Sequence, residues 1–399
     1  MPKDYSPFTP GQPVPLEFFV GRVPEIEKLR NLTRAAASGQ LKVVFLTGER
    51  GIGKSSLVAY VRAAVERNDR ALGLHTFLGG INCLEEAVRR IFDRLLNESL
   101  EYSWYEKIKQ FFGDHIRQVG LLGITVEFKP SPEDLSRILH NFASALRKLM
   151  QKLEEEKKVI FLALDDINGL ASSPTFANWL KSLVDEIATS SKPLPLCLVL
   201  VGLEERRQSL IELQPSLSRV FDIIDVKVWC EDETKEFFRN AFARVNVPVE
   251  DRALSLLSRF AGGLPVIAHE IGDATFNADT DDRIDEKDAL KGVFAAADIV
   301  GRKHLEPQVF QAIRSTRYRT ILRKIAKKPF DVAFTASELR SLLAAEEIKV
   351  WHNFLSRMKE LGVLEPDPER GRGAYRFKNH LHYLYFWLEA ERAKKAKFD

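Results

Sequence analysis

Gly48-Glu49-Arg50-Gly51-Ile52-Gly53-Lys54-Ser55 is the stretch on which the reading of this chain turns. It fits G-x-x-x-x-G-K-[ST] at every fixed position. Leu41–Leu46 before it is short, apolar and partly β-branched, and reads as a strand; Lys54–Arg67 after it reads as a helix. Glycines let such a loop turn its N–H groups inward, and the helix N-terminus adds its dipole to the same point. The loop is therefore expected to cradle nucleotide phosphates, from Gly48 through Ser55 and into Ser56. Lys54 is placed for the β- and γ-phosphates and the Ser55 hydroxyl for Mg²⁺.

A magnesium-binding loop of this kind needs a carboxylate at the end of a buried strand. Val159–Leu164 is six apolar residues closed by Asp165-Asp166. A charged pair is costly inside a core but reasonable at the carboxyl edge of a sheet that faces a metal. Asp165 is the expected Mg²⁺ partner, and Asp166 the residue that orients or activates a water. The plainer alternative is an acidic pair that caps a helix.

Around these motifs the chain alternates. A helix is expected over Pro24–Ala37, others near Leu84–Ser99 and Tyr102–Phe112, and a hairpin over Val119–Phe128. One long helix is expected over Ser131–Glu154, then a helix at Thr175–Thr189 and strands at Leu196–Val201 and Ile223–Trp229. Strands alternating with helices imply an α/β unit with a mostly parallel sheet. Past Glu231 the strand signals stop. Helices near Glu231–Val245, Arg252–Phe260 and Val266–Phe276 suggest a helical subdomain, with Asn277–Asp288 as a loop.

Further motifs resemble the P-loop ATPases of the AAA+ and STAND groups. Phe19-Val20-Gly21-Arg22-Val23-Pro24-Glu25 resembles the hhGRxxE element that precedes the phosphate loop and packs near adenine. That resemblance implies nucleotide contacts for Val20, Gly21 and Arg22. Leu164-Asp165-Asp166-Ile167 is similar to the STAND form of the acidic strand end. Gly262-Gly263-Leu264-Pro265 resembles the GxP element of STAND lids, which implies a nucleotide contact for Pro265. The chain as a whole resembles the archaeal-type ATPase branch, near the Orc/Cdc6 initiators, which adds a winged helix. A strand between the phosphate-loop and acidic motifs is part of the same pattern, and the resemblance implies ATP and Mg²⁺ as cofactors. Arg219 sits where AAA+ proteins place an arginine finger, which implies action across a homo-oligomer; a salt bridge is the alternative. The strand Leu198–Val201 ends in Gly202-Leu203-Glu204 rather than in a polar sensor, and Arg206 and Arg207 are either sensor arginines or surface helix residues. Slow hydrolysis by a lone chain follows.

The expected organisation is a lead-in over 1–40, a P-loop ATPase core over 41–230, a helical lid over 231–300 and a winged helix-turn-helix over 301–399. In that last part a helix is expected at Pro307–Ala326 and a second, capped by Thr335 or Ser337, over Glu338–Ala345 with Leu339, Leu342 and Leu343 inward. The third, Glu346–Leu361, has Ile348, Trp351, Leu355 and Met358 on its inner face. Val363–Glu365 and Ala374–Phe377 flank a wing carrying Arg370 and Arg372. The aromatic stretch His382–Trp387 is expected to join this core. Residues 301–399 hold 21 Lys and Arg against 12 Asp and Glu, while the whole chain of 399 carries only +3. A basic C-terminal region points to an anionic partner, duplex DNA through the winged helix, with a protein partner as the alternative.

The remaining composition excludes several classes. Apolar residues are 45% and charged residues 29% of the chain, values of a folded globular protein rather than a disordered one. No apolar run approaches the roughly 20 residues of a membrane span. Three scattered cysteines form neither a disulfide framework nor a zinc site and suit a reducing cytoplasm. The expected function is an ATP-dependent switch that couples nucleotide state to DNA or partner binding. A ring-forming loader and a STAND-type signalling ATPase are the alternatives.

Overall fold

The computed structural model describes residues 5–12, 19–113, 116–119, 125–303, 313, 315–326, 333–368, 370–371, 373–378 and 380–395, with backbone alone at 116–119, 125–126, 336, 340 and 391–395. They group into two units, one within Pro15–Lys227 and one within Met1–Val14 and Val228–Asp399. The lead-in therefore divides between the two units. The stretches expected as lid and winged helix fall in one unit.

The Pro15–Lys227 unit runs α1 (Val23–Ala37), β1 (Lys42–Thr47), α2 (Lys54–Asp69), β2 (Ala71–Phe77), α3 (Leu84–Ser99), α4 (Tyr105–Phe112), β3 (Ile116–Val119), β4 (Thr125–Phe128), α5 (Pro132–His140), α6 (Phe142–Lys152), β5 (Val159–Asp165), α7 (Pro174–Thr189), β6 (Leu196–Val201), α8 (Glu204–Leu213) and β7 (Phe221–Asp225). Five strands form one parallel sheet in the order β2-β5-β6-β1-β7. Every residue of β5 and β6 is buried, as expected where helices cover both faces of a parallel sheet. Because β6 lies between β1 and β5, the phosphate loop and the acidic pair leave the same edge of the sheet one strand apart. This is the fold of a P-loop ATPase.

Two expectations fail here. The strand β2 has no counterpart in the sequence reading. Gly73, His75 and Thr76 interrupt its apolar run, yet it is buried from Ala71 to Thr76 and pairs with β5 throughout. The helix expected over Ser131–Glu154 is two helices. Ser131 caps the first by accepting from the Asp134 N–H at 3.1 Å, and Asn141, at φ −111°, breaks the run before Phe142.

The other unit runs α9 (Glu231–Arg244), α10 (Asp251–Ala261), α11 (Pro265–Ala278), α12 (Glu286–Val300), α13 (Thr316–Ile325), β8 (Ala333–Thr335), α14 (Ala336–Arg340), α15 (Ala345–Ile348), α16 (Trp351–Glu360), β9 (Leu364–Pro366), β10 (Ala374–Phe377) and α17 (His380–Lys395). α12 was not anticipated, and it shortens the expected loop. The N-terminal residues 5–12 belong to this unit. The Phe8 ring is buried against Phe237, Phe242 and His269, with ring centroids 4.9–6.3 Å away. Gly272 makes room for it: a Cβ there would lie 2.3 Å from the Phe8 ring. Burial pushes the His269 imidazole down to about 4, so its Nδ1 is free to accept the Thr9 N–H at 3.1 Å.

At the C-terminal end, β8, β10 and β9 form an antiparallel sheet in that order. Thr335 provides the expected cap, accepting from the Glu338 N–H in a capping box. The expected single helix Glu346–Leu361 is broken into α15 and α16, and Ile348 and Leu342, both expected inward, are 39% and 46% exposed. Only part of the expected helix Pro307–Ala326 and of the wing is described; Arg372 lies outside the described residues. Tyr383, Leu384, Tyr385 and Phe386 are buried, Tyr383 against Phe377 at 5.5 Å between centroids.

Candidate functional site

β1 is buried to its end at Thr47, and the chain then turns through Gly48, Gly51 and Gly53, all with positive φ. Gly48 is required there twice over. Its φ is +143°, and a Cβ would lie 2.7 Å from the Val226 carbonyl oxygen. Gly53 begins α2, a helix of 16 residues whose N-terminus has no side-chain cap. The first N–H groups of such a helix need acceptors, and the dipole favours anions. Ser55 is half-buried in this first turn.

Lys54 Nζ donates to the carbonyl oxygens of Gly48 and Glu49 at 2.7 and 2.8 Å, so its ammonium stands at the mouth of the loop. Burial pulls its pKa below the ordinary lysine value; Asp165, Asp166 and Glu49 oppose that shift and Arg50 adds to it. Both strand-end carboxylates are thus within electrostatic reach of the loop. Glu49, Arg50 and Gly51 are exposed, while Ile52 is buried.

The two aspartates differ. Asp165 is 3% exposed, and His75 Nε2 lies 2.8 Å from its Oδ2. Asp166 is exposed and has φ +58°, a left-handed conformation uncommon outside glycine but better tolerated by Asp and Asn. Asn168 Nδ2 donates to Asp166 Oδ1. Asn168 and His75 escaped the sequence reading. The signal for Asn168 was its position two residues after the acidic pair. His75 had no local signal, since 90 residues separate it from Asp165.

Arg22 is engaged by the backbone beside the loop. It is 5% exposed at φ +63°, and its guanidinium donates to the carbonyl oxygens of Lys227 and of Ile52, the latter at 3.1 Å. It braces the phosphate loop from behind. Val20 and Gly21 before it are half-buried. Pro265 is the buried first residue of α11, in the other unit. Arg207 donates to both carboxylate oxygens of Glu204, and Arg206 donates to the Ser172 hydroxyl at 2.9 Å. Arg219 is exposed and lines a cleft of about 590 Å³ with Lys42, Ser190 and Asp222. That cleft is at the amino edge of β1 and β7, opposite the phosphate loop.

Chemically, the loop offers uncapped N–H groups and the Lys54 ammonium, which suit a polyphosphate. Ser55 and Asp165 offer oxygen donors of the kind Mg²⁺ takes. The donor set fits a magnesium nucleotide.

Residues 19–199 match the family model described as the AAA ATPase domain. No curated protein matches the chain. Among solved structures, a Walker-type ATPase of Pyrococcus abyssi is similar at 18% identity and a TM-score of 0.56, over 97% of this chain and 99% of that one. The ORC2 protein of Aeropyrum pernix, in ADPNP–ADP complexes, is similar at 17% identity and a TM-score of 0.57, over 99% of this chain and 97% of that one. The identities are low, and the likeness is one of fold. With the loop at the end of β1 and the acidic pair at the end of β5 in one parallel sheet, residues 19–199 are similar to the AAA ATPase domain, and the chain shares the P-loop fold of these two archaeal structures.

Proposed function

We propose that this chain is a nucleotide-operated switch. It binds ATP with Mg²⁺ at the phosphate loop, hydrolyses it slowly, and passes the nucleotide state to its C-terminal region. The observation that carries the reading is the uncapped start of α2, with Lys54 at its mouth and Asp165 at the same edge of the sheet, across the intervening β6. In this reading the backbone of Gly48–Lys54 holds the phosphates, Lys54 meets the β- and γ-oxygens, and Ser55 and Asp165 hold the metal, which neutralises phosphate charge. Asp166, steadied by Asn168, orients the attacking water. Arg219 faces away from its own loop and so serves the nucleotide of a second copy. Steady-state turnover measured over a range of protein concentrations tests these roles together. Asp166→Asn should bind ATP normally and lose at least about tenfold in turnover. Specific activity should rise with concentration in the wild type and stay flat in Arg219→Ala. Unchanged turnover in Asp166→Asn removes that residue from the mechanism, and a wild-type activity independent of concentration removes the trans role of Arg219.

For the C-terminal region we infer a winged helix. Support comes from helices α13, α14 and α16 with a small antiparallel sheet whose β9–β10 connection forms the wing. Duplex DNA is the partner suggested by the basic charge of residues 301–399. A protein partner is favoured by a specific observation: Lys349 pairs with Glu346 at 2.9 Å and Arg357 with Glu360 at 2.7 Å, which neutralises two cations of the stretch Glu346–Leu361. Affinity for a duplex, measured on the full chain against salt with and without ATP, separates the two. DNA binding predicts a log–log slope of about −0.9 per phosphate contact. Replacing Arg370 and Arg372 with Ala should make it shallower by up to about two units. No binding at low salt in either nucleotide state leaves the protein partner.

A further inference from the structure

We propose that His75 is a positioning residue for magnesium: it fixes the Asp165 carboxylate so that one chosen oxygen is left for the ion. The inference rests on the reading of Ser55 and Asp165 as the metal's protein ligands. β2 runs parallel to β5 with His75 opposite Ala163 and Phe77 opposite Asp165. His75 and Asp165 therefore lie on one face of the sheet, two positions apart along neighbouring strands. Nε2 and Oδ2 are 2.8 Å apart, and each side chain is only 4% exposed. An ionised carboxylate can only accept, so Nε2 carries the proton and donates. Phe77, its centroid 4.5 Å from the imidazole, flanks the ring.

The consequence is chemical. A carboxylate that is almost wholly buried needs a donor, and a free one can rotate and offer either oxygen or both. Here Oδ2 is engaged, and among the described residues Oδ1 has no side-chain partner. Asp165 is held as a one-oxygen ligand with a fixed direction. Outer partners of this kind typically carry about ten- to a hundredfold in metal affinity.

The test uses the full chain and Mn²⁺ as a paramagnetic probe in the presence of ADP. His75→Leu should weaken Mn²⁺ binding about ten- to a hundredfold and leave ADP affinity in EDTA unchanged. His75→Gln, whose amide nitrogen reaches where Nε2 does, should recover most of the loss. Wild-type Mn²⁺ affinity in His75→Leu overturns the proposal. So does an equal loss of metal-free ADP binding, which marks a merely structural residue, or a failure of His75→Gln to recover. If His75→Leu does not fold, His75→Asn, whose arm is too short for Oδ2, takes its place against His75→Gln. A wild type that binds ADP equally with and without Mn²⁺ overturns the ligand reading itself, and His75 with it.

Discussion

Lys54→Ala should bind ATP at least about a hundredfold more weakly than the wild type, a loss of about 3 kcal/mol. A hydrogen bond to a charged partner is the strong kind, and this one is made in a half-buried site where water competes poorly. In the structure the ammonium is held by the Gly48 and Glu49 carbonyl oxygens. The substitution therefore removes both the charge that meets the phosphates and a clasp that shapes the loop. Calorimetric titration with ATP and Mg²⁺ on both proteins measures the effect. The fold should survive, because Lys54 opens α2 rather than filling the core. Equal affinities would show that phosphates are held elsewhere.

The second large effect concerns Phe8. Phe8→Ala should destabilise the unit it packs in by about 3 kcal/mol, the low end for a buried aromatic ring, since a terminal segment can lose no more than its docking energy. Gly272→Val should cost about the same, because its Cβ would occupy the space of the ring. The double variant should be little worse than either single one. Both substitutions undock the same segment, and effects that share a contact do not add. Denaturant unfolding gives the energies. Hydrogen exchange gives a local check, since the Thr9 amide donates to His269 and should lose protection in each variant. Additive losses would mean that Phe8 and Gly272 act through separate contacts.

The parts of this protein legible in its sequence are those where chemistry dictates neighbouring residues. A phosphate cradle needs glycines and a lysine in a fixed order, and Gly48–Ser55 displays that order within one turn of chain. The acidic strand end is legible for the same reason: six apolar residues running into two aspartates have few other uses. What stayed hidden depends on partners distant in the chain. β2 carries a histidine and a threonine in its buried run, so its pattern did not read as a strand. His75 makes sense only beside Asp165, which the sheet order supplies. The backbone acceptors of Arg22, Ile52 and Lys227, are likewise visible only in three dimensions. The ion pairs Lys349–Glu346 and Arg357–Glu360 are a different case. Their spacing of three is present in the sequence, and it sets each cation beside a carboxylate one turn away.

The docking of residues 5–12 onto α9 and α11 of their own unit has a consequence for the order in which the protein is made. Thr9 is synthesised 260 residues before its acceptor His269. At roughly 5–20 residues per second, the interval is about 13–52 s. The whole parallel sheet, from β1 to β7, is synthesised within that interval and can fold while Phe8 is still exposed. The Phe8 ring is thus made well before the α9 and α11 rings it packs against, and it stays unsatisfied in the nascent chain until they arrive.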